Sequence, residues 1–160
     1  MQDTTLVLLL KDAPPTEVLL GYKKMGFGQG KYTGFGGKIE PGERVAEAAS
    51  RELAEETGIL LPVASLEIVA TLTFIFPYKP EWSQRVHVFT AHKWNGEPAE
   101  SNEMRPQWFA VDAIPYDQMW DDARYWLLRV LSGEKFQARF MFKGDNETVG
   151  DVEIEFLLSD

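Results

Sequence analysis

Residues 4–10 and 17–22 are both rich in apolar and β-branched side chains, and Asp12-Ala13-Pro14-Pro15 lies between them. Two such runs around a turn signal predict a β-hairpin. A glycine-rich connection follows, Gly26-Phe27-Gly28-Gln29-Gly30, and it continues through residues 33–37. Residues 45–57 change period. Ala48, Ala49 and Leu53 form a narrow stripe at helical spacing, and Gly58 is placed to end the helix. Strands are predicted again over 66–76 and 86–91, separated by a loop carrying Pro77, Pro80 and Trp82. Residues 108–111 read as a short strand, and 116–131 as helical in the second half. A closing hairpin is predicted from 136–142 and 152–157 around Lys143-Gly144-Asp145-Asn146. No repeat, low-complexity tract or linker interrupts the chain, so residues 1–160 read as one α/β domain with a mixed sheet.

Composition narrows the function classes. The chain has 160 residues, 44% of them apolar and 26% charged, which suits an ordinary globule with one core. No run of about 18 apolar residues suggests a membrane span, and the Met1-Gln2-Asp3 start lacks the basic region of a signal peptide. With no cysteine, disulfides, thiolate zinc sites and a cysteine nucleophile are excluded, and a cytoplasmic location is expected. The net charge of −9 argues against a nucleic-acid polymer as partner. A small phosphorylated ligand is still admissible if a metal or a few lysines offset the repulsion.

The candidate chemistry lies in the segment 37–59, GKIEPGERVAEAASRELAEETGI. Glu52, Glu55 and Glu56 fall at i, i+3 and i+4, on one side of the predicted helix, where like charges repel. A solvated acidic face is the bland explanation. Leu53 and Ala49 constrain the helix against a core, however, and Gly36-Gly37 and Pro41-Gly42 let backbone approach a ligand closely. Carboxylates with a backbone carbonyl make a hard-oxygen cage suited to Mg²⁺ or Mn²⁺. Arg51 is spaced to pair with Glu47 or Glu55, and Glu43 is placed to fold back toward the same face.

This segment resembles the Nudix box, G-x5-E-x7-R-E-U-x-E-E-x-G-U with U aliphatic. Gly37, Glu43, Arg51, Glu52, Leu53, Glu55, Glu56, Gly58 and Ile59 fit without gaps. The seven fixed residues would coincide by chance roughly once in 10⁸ start positions. The resemblance implies a Nudix α/β/α sandwich with a mixed central sheet. It implies metal ligation by Glu52 and Glu56, help from Glu55, and the Gly36 carbonyl as a further ligand. Arg51 would orient a carboxylate. Mg²⁺ is the expected cofactor, with Mn²⁺ able to substitute. A carboxylate outside the box often completes such a site or acts as base, and Glu103 in Ser101-Asn102-Glu103-Met104-Arg105-Pro106 is the candidate. Lys23 and Lys38 are the candidate substrate-side cations. His87 and His92 read as structural.

Beyond the box, the chain resembles the MutT homologue type, which hydrolyses oxidised purine nucleoside triphosphates such as 8-oxo-dGTP. The stretches 21–28, 34–38, 86–89, 103–106, 119–120 and 125–126 carry that likeness. It implies a monomer acting on a small-molecule nucleotide, with Phe27, Phe74 and Trp120 packing around the purine. Thr5, Thr33, Phe35, Gly36, Gly37, Lys38, Asp121 and Asp122 are further candidates for substrate contact. The chain departs from the type at two places. Thr33 stands where an Asn contacts the base, and Trp120-Asp121-Asp122-Ala123 stands where Trp-Pro-Asp-Asp is usual, so Ala123 replaces the second Asp. Triphosphate hydrolysis is therefore better supported than reading of the oxidised base. The alternatives are a Nudix hydrolase for ADP-ribose, a dinucleoside polyphosphate or canonical nucleotides, and a catalytically silent nucleotide-binding domain.

Overall fold

A computed structural model describes residues 1–157. Its strands in chain order are β1 (Gln2–Lys11), β2 (Glu17–Lys23), β3 (Tyr32–Thr33), β4 (Glu67–Ile75), β5 (Gln84–Ala91), β6 (Met104–Ala110), β7 (Phe136–Phe142) and β8 (Val149–Phe156). The helices are α1 (Val45–Thr57) and α2 (Ala123–Leu131). The sheet runs β3-β2-β1-β5-β4-β7-β8, and β6 pairs with β2. β1 with β5 and β4 with β7 are parallel, while the other pairings are antiparallel. The expected mixed sheet is therefore present.

β1 alternates between two apolar layers. Leu8 and Leu10 enter a core covered by α2 through Trp126, Leu127 and Val130. Val7 and Leu9 enter a second core covered by α1 through Ala49 and Leu53. A strand buried on both faces reads as a nearly continuous apolar run, as residues 6–10 do. The two helices thus lie on opposite faces of the sheet, which is the expected α/β/α layering.

One irregularity positions the site. β1 and β2 pair only at Leu10 with Val18 and Lys11 with Glu17. Toward its other end β2 turns to β6 and β3, which leaves an edge of β1 uncovered. The glycine-rich loop fills that edge. Thr5 N–H donates to Gly37 O at 2.9 Å, and Phe35 N–H donates to Val7 O at 3.1 Å. Backbone donors in a buried strand need such partners.

Three of the boundaries that differ from expectation have a clear physical reason. β5 begins at Gln84 rather than Val86, because the polar residues at 84 and 85 continue the alternation. β6 begins at Met104 and carries Pro106, which the strand tolerates because it pairs with β2 alone. β8 begins at Val149, three residues early, and its first pairing crosses a bulge beside Phe142. No helix among the described residues is long and apolar enough to cross a membrane.

Candidate functional site

Helix α1 opens with a capping box, in which the Arg44 N–H donates to Glu47 Oε1 at 2.9 Å. It closes at Gly58, whose φ of 79° suits the left-handed cap. Glu56 continues the stripe of Ala49 and Leu53 at i+7 and i+3, so the helix carries it into the core. It is 2% exposed. Glu52 is mostly buried at the edge of the stripe, and the Glu55 side chain is 58% exposed. The three carboxylates therefore span a gradient from core to solvent.

Glu56 Oε1 accepts a 2.8 Å hydrogen bond from the Gly36 N–H. Burial pushes its carboxyl up to about 8, against the opposing pull of Lys23 and of that N–H. Burial also raises Glu52, and Arg51 partly offsets it. Arg51 is the hub of the acidic surface. It holds Glu43 through Nε at 2.8 Å and Nη2 at 3.0 Å, Glu52 at 3.0 Å, Glu55 at 3.3 Å and the Lys38 carbonyl at 3.0 Å. Glu43 does fold back, whereas Glu47 pairs with Arg44 instead of Arg51. The fork geometry of guanidinium suits several carboxylates at once.

The glycines leave no room for side chains. A Cβ on Gly36 would lie 1.7 Å from the Thr5 carbonyl oxygen, and one on Gly37 would lie 2.6 Å from the Glu52 carboxylate. The loop backbone is thus pressed against both a strand and an acid. The donors gathered here are all oxygen, which fits a hard divalent cation. Among the described residues, no three acidic or histidine side chains converge into a ready-made cage. Like charges have instead spread onto the nearest donors, Glu56 to Gly36 and Glu52 and Glu55 to Arg51. Glu103 is exposed at the start of β6, close enough for its charge to raise both Glu52 and Glu56.

A cavity of about 280 Å³ opens on the α2 side of β1. Thr5, Lys23, Phe27, Thr33, Gly36, Gly37, Lys38, Phe74, Trp120, Asp122 and Glu56 all line it, so the loop, the deepest acid and the aromatic wall share one space. Phe27 stacks on Trp120 with centroids 5.2 Å apart, and Trp82 meets Phe27 edge-on. Asp122 is 6% exposed and accepts a 2.7 Å hydrogen bond from Trp126 Nε1. Burial lifts its carboxyl to about 6, against that bond.

Two expected substrate contacts lie elsewhere. Phe35 is fully buried in the α1-side core, because the alternation that turns the Gly34 and Gly36 backbone toward β1 sends its ring beneath the helix. Asp121 points away from the cavity. Its Oδ1 accepts from Arg124 Nε and its Oδ2 from the Val149 N–H, both at 2.9 Å, so it pins the start of β8. Gln84, Trp82 and Lys31 line the cavity without having been anticipated. Gln84 was discoverable by extending the alternation of β5 by one step; no local pattern singles out Lys31, whose ammonium sits 5.1 Å from the Trp120 ring.

The family model described as NUDIX domain matches residues 2–130. The chain belongs to the Nudix family. Among curated relatives, this Nudix chain is 47% identical over 145 residues to the "oxidized purine nucleoside triphosphate hydrolase" of Danio rerio, covering 91% of the chain and 89% of the relative. The protein of the same name from Mus musculus is 46% identical, with 91% and 88% covered. Among solved structures, the MutT protein from Bacillus halodurans superimposes with a TM-score of 0.82 at 23% identity, over 97% of this chain and 98% of that one. That likeness speaks to the fold.

Proposed function

We propose that this Nudix protein hydrolyses oxidised purine nucleoside triphosphates such as 8-oxo-dGTP to the monophosphate and pyrophosphate with Mg²⁺, and so cleanses the nucleotide pool. The observation that carries this reading is the single cavity that joins an aromatic wall to the glycine loop and Glu56. The likeness to the two vertebrate enzymes, over nine-tenths of the chain, gives the substrate class.

The geometry supports the roles that the family resemblance implies. Phe27, Phe74 and Trp120 give the base a packing surface, and stacking of this kind contributes about 1–3 kcal/mol per base. Lys23 and Lys38 face the phosphates at the loop end of the cavity. Glu52, Glu56 and the Gly36 carbonyl are the groups that would hold a divalent cation, with Glu55 and Glu103 at the solvent side. When bound, the cation supplies charge neutralisation and a lowered pKa for water. Arg51 holds Glu52 and Glu43 in place, and a carboxylate beside the attacking water accepts its proton as the anhydride bond between the α- and β-phosphates breaks. A catalytically silent domain would have no need of the complete Arg51 network. Asp122 stands alone at the base, since Ala123 brings no second carboxylate.

The test is product analysis with Mg²⁺ on 8-oxo-dGTP, 2-hydroxy-dATP, dGTP and ADP-ribose. The oxidised purines are expected to turn over fastest and to yield monophosphate and pyrophosphate. Faster cleavage of ADP-ribose, or no turnover of any triphosphate, would overturn the reading. Glu56→Gln is expected to lower kcat by about 100-fold or more while the protein stays folded, since even residues behind a metal ligand cost about 10–100-fold.

A further inference from the structure

We propose that Gln84, held by Thr4, is a specificity-determining residue that donates its carboxamide N–H to a carbonyl oxygen of the bound base. The proposal rests on the nucleotide reading above and adds a contact to it. β5 sends residues 84, 86 and 88 to the cavity side, and Val86 and Val88 there are buried apolar residues. Gln84 breaks that series with a polar group that still lines the cavity. Its cross-strand partner on β4 is Phe74, one of the rings assigned to the base, so the carboxamide stands beside the stacking surface. Directly opposite on the next strand pair position, Leu72 faces Val86, so the surroundings deepen into hydrocarbon.

The orientation of the carboxamide follows from Thr4. That residue is 8% exposed, and its hydroxyl donates to Gln84 Oε1 at 3.0 Å. Among the described residues the carboxamide is engaged through this oxygen, which leaves the amino group as the end available to a ligand. A donor fixed at the margin of an apolar cavity discriminates strongly. A ligand that supplies an acceptor satisfies it, and a ligand that does not leaves it desolvated and unpaired. Carbonyl oxygens on the ring edge are the acceptors that distinguish guanine-type and oxidised purines from the unsubstituted ring.

Binding of products tests this without turnover, so its outcome is separable from that of the hydrolysis assay. 8-oxo-dGMP, which bears ring carbonyls, and purine deoxyriboside monophosphate, which bears none, are titrated calorimetrically into wild type, Gln84→Met, Thr4→Val and Thr4→Ser. Gln84→Met nearly keeps the side-chain volume in an apolar setting, and unchanged melting curves certify the fold. The expected result is a Kd for 8-oxo-dGMP raised about 10-fold in Gln84→Met, with less than about a twofold change for the unsubstituted purine. Thr4→Val should move the same ligand in the same direction by a smaller factor, and Thr4→Ser should restore it. Equal weakening of both ligands, no weakening of either, or failure of wild type to favour the carbonyl-bearing base would overturn the assignment.

Discussion

Asp122 sits nine-tenths or more out of water with Trp126 Nε1 as its hydrogen-bond partner. Its folded pKa of about 6 lies above the 3.8 of a free side chain. Well below pH 3.8 both folded and unfolded chains carry it protonated, so it costs nothing there. As pH rises through about 6 the unfolded chain is already ionised while the folded one resists, and stability is lost. The gap between 3.8 and about 6 corresponds to roughly 3 kcal/mol. Asp122→Asn keeps an acceptor for Trp126 without the charge. It should therefore raise the urea midpoint far more at pH 8 than at pH 4, and an equal gain at both would refute the cause given. At this scale the sequence was informative about chemistry and less so about direction. The spacing of Glu52, Glu55 and Glu56 placed them on one side of a helix, but their unequal depth depends on how α1 rolls against Val7 and Phe35. Adjacent Asp121 and Asp122 look alike in the sequence. Only the Val149 N–H and Arg124, distant or local partners fixed by folding, send one outward.

The glycine loop is an element without regular structure of its own, yet it serves β1 as a substitute strand. Its hydrogen bonds to Thr5 and Val7 require backbone contact that a methyl group would prevent. Gly36→Ala is expected to cost at least the upper end of the usual 1–3 kcal/mol for overpacking, read as a fall in urea midpoint, because the atom it meets is a carbonyl oxygen and cannot swing aside. A variant as stable as wild type would mean the loop is free to move off the strand. Helix α1 was legible to the residue, since its apolar stripe and terminal Gly58 agree with one another. β6 was legible only in part. Pro106 argues locally against a strand, and its edge position is a property of the whole sheet.

Across the whole molecule, the two apolar layers are complete without the acidic site, and the chain closes them with α1 on one side and α2 on the other. Removing divalent cations with EDTA should consequently abolish turnover while lowering the Tm by no more than a few degrees, and readdition of Mg²⁺ should restore activity. Collapse of the folded signal in EDTA would show instead that a metal is structural. The mixed sheet could be anticipated from the mixture of strand and helix patterns and the layering from the family resemblance, but the departure of β2 from β1, which makes space for the loop, could not. It depends on pairing between residues more than 80 positions apart, as where Leu19 faces Trp108.

β1 has one last consequence. Thr4 sends its hydroxyl to Gln84, and Thr5, the very next residue, sends its own to the Gly37 carbonyl at 3.4 Å on the other face. A slip of this strand by a single residue would exchange the two faces. Both anchors would be lost in the same movement, so the Gln84 wall of the cavity and the seat of the glycine loop stand or fall on the register of one strand.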